Sequence, residues 1–300
     1  MKYTITGATG HLGRKVVEQL SRLVDIQDIR LAVHTPSKAQ AFLDQGYEVV
    51  KSDYYDVQSM TKAFADTDVL IYIPSITYDV ANRVLEFENS LKAMQKAGVK
   101  NLVDVSFIAD QPNNPFQMAG YYAYLPARLA GTKLNYAVIK NSLYADPLVL
   151  YLPELIERQN IIYPVGDQAM SFITRDDSAE AIANVAVKPY LRDHRQVYLL
   201  TQKQNYNMIE LSRIMTETTG QEIGYALVSL SEFADIYRAE GDGDELASMY
   251  HAAAMELMDA VTDDFQHITG HEPMPMDQFL RQNYQRGGLI YSVIRMLQTV

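Results

Sequence analysis

Three glycines near the start of the chain, Gly7, Gly10 and Gly13, constrain its fold more than any other feature. They stand directly after an apolar, strand-like run at residues 2–6 and directly before a helical pattern at residues 11–24. A turn of this kind brings backbone amides and a helix N-terminus against a pyrophosphate, and side chains at the close-approach positions would block it. Because the glycines occur in this strand-to-helix context, the sequence predicts a dinucleotide site and hence binding of NAD(P).

The composition narrows the class of protein. Three hundred residues with 48% hydrophobic and 21% charged side chains suit a globular α/β chain with a sizeable core. The absence of cysteine excludes disulfides, thiolate catalysis and cysteine-ligated metals. A net charge of −11 opposes binding to nucleic acid. Since the sequence shows neither a secretory signal nor an apolar run of about 20 residues, we expect a cytoplasmic protein with no membrane partner.

Strand-like runs and helical patterns alternate along the first half of the chain. The runs fall at 2–6, 29–34, 47–51, 68–73, 101–106 and 134–140, and the helical patterns at 11–24, 37–45, 57–65, 80–97 and 124–131. The strand runs are continuously apolar, which indicates burial on both faces and a parallel sheet covered by helices. We therefore predict an α/β fold, a Rossmann-type doubly wound parallel sheet.

The pattern loosens beyond residue 141, where helical stretches mix with a few short strands. We expect residues 1–150 to form the NAD(P)-binding Rossmann domain. Residues 151–300 are expected to form a smaller, mainly helical C-terminal lobe on the substrate side, with some segments returning to the Rossmann sheet.

Ligands of such sheets bind beyond the carboxyl ends of the strands, near the point where the strand order reverses. This rule predicts the following cofactor-binding residues, at the glycine turn and at the ends of strands two to five: Gly7, Thr9, Gly10, His11, Leu12, Gly13, His34, Lys38, Asp53, Tyr54, Ile73, Pro74, Ser75, Ser106 and Phe107.

The end of the second strand bears on the choice between NAD and NADP. A carboxylate there would select NAD, whereas a basic residue accommodates the phosphate of NADP. This chain has no carboxylate at that point, and His34 and Lys38 suit a 2′-phosphate, so NADP(H) is favoured over NAD(H). The alternative is that both side chains are merely solvated.

The residues after the third strand have two interpretations. Asp53 is placed to accept a hydrogen bond from the adenine amine, with Tyr54 against the ring. Alternatively, Asp53 forms a turn and Asp56 caps the following helix. The two interpretations are compatible.

Five segments together resemble the NmrA-like branch of the atypical short-chain dehydrogenase/reductases: residues 6–13, 52–54, 97–100, 140–144 and 173–177. Within that branch the chain is similar to the quinone oxidoreductases and triphenylmethane-dye reductases. The resemblance implies an NAD(P)H-dependent reductase that transfers a hydride to a quinone or similar planar aromatic acceptor. The branch also includes regulators, so a non-catalytic redox sensor that binds NAD(P) and a protein partner is the alternative.

The chain departs from its wider superfamily where catalysis is concerned. Members of the branch often carry arginine at the position of His34, and orthodox members of the superfamily use a Tyr-x-x-x-Lys pair that the tyrosine-rich segment after the fifth strand does not match. The nearest counterpart runs from Tyr124 to Arg128 with Pro126 inside the spacing. Since proline is tolerated in the first helical turn, we expect the helix to begin near Tyr124 and residues 120–124 to form a loop at the mouth of the site.

Tyrosines around this segment supply the predicted substrate site. The predicted substrate residues are Tyr121, Tyr122, Tyr124, Asn141 and Tyr144, and the candidate catalytic residues are Tyr122, Tyr124 and Lys140. The tyrosines either contact an aromatic acceptor or are ordinary wall residues, with packed rings and hydroxyls exposed to water. Lys140 lies beneath the cofactor or braces the lobe interface.

Three further features receive simpler interpretations. His267 and His271 have four-residue spacing, but Gly270 interrupts any helix between them and no third ligand is evident, so we expect no metal site. Residues 174–178 are expected to cap the following helix. The apolar run at residues 287–297 is expected to dock on its own domain or on a second subunit, which leaves a homodimer possible.

Overall fold

The structure, a computed structural model, describes residues 1–240 and 243–284. Its strands are β1 (Tyr3–Thr6), β2 (Ile29–Val33), β3 (Glu48–Lys51), β4 (Val69–Tyr72), β5 (Asn101–Phe107), β6 (Asn135–Asn141), β7 (Leu143–Tyr144), β8 (Asn160–Ile161), β9 (Ala169–Met170), β10 (Phe172–Ile173), β11 (Gln196–Leu200), β12 (Tyr206–Asn207) and β13 (Gly224–Tyr225).

The helices are α1 (His11–Ser21), α2 (Gln40–Asp44), α3 (Val57–Ala63), α4 (Val80–Ala97), α5 (Ala119–Ala130), α6 (Asp146–Arg158), α7 (Arg175–Val187), α8 (Pro189–Arg192), α9 (Met208–Thr219), α10 (Leu230–Tyr237), α11 (Gly243–Ala254) and α12 (Asp264–Thr269). Residues 276–284 are also helical. The apolar run at 287–297 lies outside the described residues.

Seven strands form one parallel sheet in the order β11-β6-β5-β4-β1-β2-β3. The order reverses at β1, whose neighbours are β2 and β4. All four residues of β1 and all four of β4 are buried, because helices cover both faces of the sheet. The predicted Rossmann-type, doubly wound parallel sheet is confirmed.

The two helical layers form two separate cores. On one face, side chains such as Val16 and Leu20 of α1 pack with α7, α12 and the strands; on the other, Phe87 and Met94 of α4 pack with α3 and α5. Burying an aliphatic or aromatic side chain of this size contributes about 1.5–3 kcal/mol. These layers hold the carboxyl ends of the strands at one common edge.

The C-terminal half contributes to both the sheet and a smaller lobe. β11 pairs with β6 as the seventh strand of the sheet, and α7 packs against α1. One strand of this half, β11, therefore belongs to the seven-stranded sheet. Helices α6, α9, α10 and α11, together with two-stranded pairings such as β8 with β13, form the mainly helical lobe. The division of the chain at residue 150 stays a prediction.

The predicted start of the helix after β5 was wrong. Helix α5 begins at Ala119, five residues before the expected start, and carries Pro126 in its interior. Tyr121, Leu125 and Leu129, spaced four apart, all lie in the core. Their packing outweighs the lost hydrogen bond and ring clash of the proline, a cost of about 3 kcal/mol. Residues 120–124 are therefore helical and do not form a loop.

Two expected helix caps are present. The Asp56 carboxylate accepts hydrogen bonds from the amides of Gln58 and Ser59 at 2.9 and 3.1 Å and caps α3. The Thr174 hydroxyl accepts one from the amide of Asp177 at 3.0 Å and caps α7. Both predictions rested on local chemistry that tertiary packing does not override.

Within residues 1–240 and 243–284 no helix has the length and apolar character that crossing a membrane requires. In the same residues no group of three metal-ligating side chains comes together, and His271 contacts Glu180 at 2.8 Å. The cytoplasmic location and the homodimer stay predictions.

Candidate active site

A cavity of about 690 Å³ opens at the carboxyl ends of β1, β2, β4 and β5, where the strand order reverses. Its wall includes all but one of the predicted cofactor-binding residues: Gly7, Thr9, Gly10, His11, Leu12, Gly13, His34, Asp53, Tyr54, Ile73, Pro74, Ser75, Ser106 and Phe107. The exception is Lys38, which is not part of the wall. This volume lies within the range that is usual for small-molecule and cofactor sites.

The glycine turn is shaped to receive a pyrophosphate. Gly7 adopts a φ of +63°, and its carbonyl accepts the Gly10 amide at 2.9 Å. A Cβ on Gly13 would lie 2.1 Å from the Gly7 oxygen, so α1 packs directly onto the turn. The residue that precedes α1 is Gly10, which has no side chain to cap the helix. The amides of its first turn are therefore available to an anion, and these residues fit a dinucleotide.

Side chains from the ends of β2 and β3 meet at one rim of the cavity. The His34 side chain is 74% exposed, and its Nε2 lies 3.6 Å from Asp53 Oδ2. The other Asp53 oxygen accepts the Tyr55 amide at 2.9 Å, as expected of a turn former. The Tyr54 hydroxyl donates to the Ile73 carbonyl at 2.6 Å and ties the ends of β3 and β4 together. Burial raises the pKa of Tyr54.

The opposite end of the cavity is aromatic. The rings of Phe107 and Tyr122 lie 5.5 Å apart, and the Arg175 guanidinium stands 5.1 Å over the ring of Tyr144. Burial raises the pKa of both tyrosines, so their hydroxyls stay protonated at neutral pH. The buried Ser106 hydroxyl on the same wall has no partner in the described residues. This end suits a planar ring that accepts hydrogen bonds at its edge.

Four of the predicted substrate and catalytic side chains make contacts elsewhere and are not part of the cavity wall. Tyr121 is fully buried beneath α4, and the Tyr124 hydroxyl donates to Glu88 at 2.6 Å. The side-chain oxygen of Asn141 accepts the Ser178 hydroxyl at 2.6 Å. Lys140 is paired with Asp110. Of the predicted substrate residues, Tyr122 and Tyr144 line the cavity.

Two buried charges on α4 that the sequence analysis missed also line the cavity. Glu86 is 2% exposed and accepts the hydroxyls of Ser75 and Thr77 at 2.5 and 2.9 Å. Arg83 is 5% exposed and donates to the Ser75 carbonyl. Arg83 precedes the core residue Phe87 by four positions, so it continues the buried stripe of α4. The four-residue spacing from Phe87 is the feature of the sequence that could have predicted the burial of Arg83.

A parallel sheet with a glycine turn and an uncapped helix N-terminus at its point of reversal defines a dinucleotide-binding Rossmann protein. Residues 7–193 match the family described as NAD(P)H-binding. The chain belongs to this NAD(P)H-binding family.

Individual relatives agree with that assignment. Quinone oxidoreductase 2 of Escherichia coli K12 is 30% identical over 246 residues, which cover 82% of this chain and 84% of the relative. Among solved structures, a Staphylococcus aureus protein described as a nucleoside-diphosphate-sugar epimerase superposes with a TM-score of 0.89 at 35% identity, covering 94% of this chain and 100% of the other. Citrobacter sp. triphenylmethane reductase complexed with NADP(H) gives 0.88 at 27% identity, with 94% and 100% covered. The resemblance to the NmrA-like reductases is confirmed.

Proposed function

We propose that the protein is an NAD(P)H-dependent reductase that transfers a hydride to a quinone or a similar small, planar aromatic acceptor. The observation that carries this proposal is the single cavity that joins the glycine turn to an aromatic end lined by Phe107, Tyr122 and Tyr144. The reduced nicotinamide supplies the hydride when bound. The cavity residues bind and orient the two reactants.

Among the described residues no Tyr-x-x-x-Lys pair lines the cavity, because Tyr47 with Lys51 and Tyr136 with Lys140 lie at β3 and β6, away from its wall. The lack of such a pair in the site favours hydride transfer over sugar epimerisation, although one structural relative is described as an epimerase. Epimerases of the superfamily normally need that pair to exchange a proton. Hydride transfer to a quinone needs no strong acid, because water can supply the proton. Tyr122 and Tyr144, held protonated by burial, are suited to donate hydrogen bonds to an acceptor oxygen.

NADP(H) is the proposed cofactor in preference to NAD(H). The exposed imidazole of His34 stands on the cavity wall at the end of β2, where a 2′-phosphate would lie, and β2 ends without a carboxylate. Two reductases of similar structure, from Citrobacter sp. and Escherichia coli, were solved with NADP(H) and NADPH. Both observations support the phosphorylated cofactor.

The test is NADPH oxidation by purified protein with a panel of quinones and cationic dyes, with NADH run in parallel. We expect turnover of at least one quinone and a faster rate with NADPH. Demonstrated NADPH binding with no oxidation by any acceptor would contradict the proposal. It would favour the redox sensor, which should bind oxidised and reduced cofactor with different affinities.

A further inference from the structure

We propose that Arg83 holds the acceptor oxygen on which negative charge develops, and thereby makes the site select neutral and anionic quinones over cationic dyes. This inference rests on the proposed reductase function and assigns its acceptor class. It makes Arg83, a residue of the first turn of α4, part of the acceptor site.

Arg83 is a shielded cation on the cavity wall. It is 5% exposed, and its guanidinium carbon lies 4.9 Å over the ring of Tyr121. One terminal nitrogen donates to the Ser75 carbonyl, whereas the buried Nε has no partner in the part of the chain that the structure describes. A guanidinium stays protonated and carries five donors, so Arg83, which lines the cavity, has donors beyond the one that the Ser75 carbonyl accepts.

The other charges of the cavity are already engaged. The carboxylate of Glu86 accepts the hydroxyls of Ser75 and Thr77, and Arg175 lies 4.0 Å from Asp146. The charge of Glu86, three residues further along α4 on the same wall, helps to raise the pKa of Arg83, whose guanidinium donates to the Ser75 carbonyl. A cation held in this way, away from water, attracts negative charge more strongly than an exposed one.

Arg83 also stands beside the aromatic end. Its guanidinium lies over the ring of Tyr121, whose centre is 5.3 Å from that of Tyr122, and both Arg83 and Tyr122 line the cavity. Burial raises the pKa of Tyr122, and the positive charge of Arg83 partly offsets that rise. On its other side the ring of Tyr122 packs against Phe107, at the end of β5. Arg83 and Tyr122 therefore present a guanidinium and a protonated hydroxyl from adjacent positions on the wall.

The chemistry of the two acceptor classes makes opposite demands on this pair. A quinone that gains a hydride from the reduced nicotinamide becomes a hydroquinone monoanion, the cofactor is left oxidised, and a proton from water then gives the hydroquinone. Donors aimed at the new oxyanion stabilise charge that exists only as the reaction proceeds. A cationic triphenylmethane dye instead loses its positive charge on gaining the hydride, and Arg83 repels it before reaction.

The experiment compares Arg83→Met and Arg83→Lys with the wild type, and uses Arg22→Met, at the exposed residue that follows α1, as the matched control. The readouts are kcat/KM for a sulfonated naphthoquinone and for malachite green, and the Kd for NADPH. We expect Arg83→Met to lose about 100-fold in kcat/KM on the naphthoquinone and to gain on the dye, which Arg83 no longer repels, with Arg83→Lys close to the wild type on the dye and in between on the naphthoquinone. Equal losses on both acceptors, matched by weaker NADPH binding, would show that Arg83 only braces the loop at Ser75 and would overturn the inference.

A second readout separates this inference from the proposed function. If the wild type reduces no quinone, the reductase proposal fails, and equilibrium binding of the sulfonated naphthoquinone to the NADP⁺-loaded protein decides the role of Arg83. An affinity about 10-fold weaker in Arg83→Met, with wild-type NADP⁺ affinity, would support an anion-binding role for Arg83. Equal affinity in the two proteins would overturn it.

Discussion

The carbonyl oxygen of Gly7 occupies the space that a side chain at Gly13 would need. A Cβ placed on Gly13 would lie 2.1 Å from that oxygen and 2.8 Å from the Cα of Ala8, and both neighbours are backbone atoms that cannot rotate away. Helix α1 consequently sits directly on the turn, with its first amides facing the cavity. The close approach of these two glycines shapes the candidate cofactor site.

The first prediction concerns this contact. We expect Gly13→Ala to displace α1 and to weaken NADPH binding at least about 10-fold or to prevent folding, measured by fluorescence titration and thermal unfolding. The matched control is Gly120→Ala in α5, whose Cβ would meet only a Val80 methyl at 3.6 Å. Because alanine favours a helix over glycine, this control is expected to be as stable as the wild type or up to about 1 kcal/mol more stable. Unchanged NADPH affinity in Gly13→Ala would contradict the prediction.

The second prediction concerns cofactor preference. We expect His34→Ala to lower the ratio of kcat/KM for NADPH over NADH by about 10-fold, because a hydrogen bond to a charged phosphate is lost. Lys38→Ala is expected to have a smaller effect, since Lys38 does not line the cavity. A larger effect at position 38 than at position 34 would show that the phosphate lies elsewhere.

The third prediction concerns Asp177, whose carboxylate accepts the Met274 amide at 3.0 Å. Burial raises the pKa of Asp177 to about 6, whereas an unfolded aspartate titrates near about 4. The folded state binds this proton more tightly, so stability falls as pH rises from about 4 to about 6. Asparagine does not titrate, so Asp177→Asn does not lose this stability as pH rises. We expect the variant to exceed the wild type in unfolding free energy by about 2–3 kcal/mol at neutral pH, and by less at lower pH.

Urea unfolding of the wild type and Asp177→Asn at about pH 5 and about pH 8 checks this expectation. The pH dependence of the difference in unfolding free energy identifies the titration of Asp177, because a merely structural effect of the substitution would be the same at both pH values. A difference in unfolding free energy that is the same at both pH values would contradict it.

The fourth prediction concerns His271 and Glu180, whose side chains meet at 2.8 Å. The Glu180 hydrogen bond, followed by that of the Glu272 carbonyl, raises the pKa of His271. The resulting stability is present below the unfolded pKa of about 6.5 and is lost as pH rises through the folded pKa. Since both side chains are partly exposed, we expect His271→Gln to cost at most about 1 kcal/mol at about pH 5.5 and less at about pH 9, measured by urea unfolding. A larger cost at high pH would contradict this sign.

Features fixed by local chemistry were predictable from the sequence. The strands of the first half are continuous apolar runs, and the glycine turn is dictated by backbone contacts that no other residue type allows. The start of α5 was mispredicted because the rule for Pro126 is local, whereas the packing of Tyr121 and Leu125 depends on the finished core. Helix α5 begins at Ala119 because of tertiary contacts, and these cannot be read from the local sequence.

The buried charges of the cavity were missed for a related reason. Charged residues within a helix are typical of a solvated face, and this rule outweighed the four-residue spacing that relates Arg83 to the core residue Phe87. Their burial depends on the loop after β4, which bonds to both of them through Ser75. The candidate acceptor site is therefore assembled from segments whose meeting only the folded chain reveals.

The most direct test of the central claim is an anaerobic single-turnover experiment in which the protein loaded with NADPH is mixed with a quinone. NADPH loss and hydroquinone formation are followed together in the same sample. The account predicts that each NADPH consumed yields one hydroquinone, at a rate far above that of the mixture without protein. NADPH that stays reduced and bound in the presence of every quinone tested would contradict it.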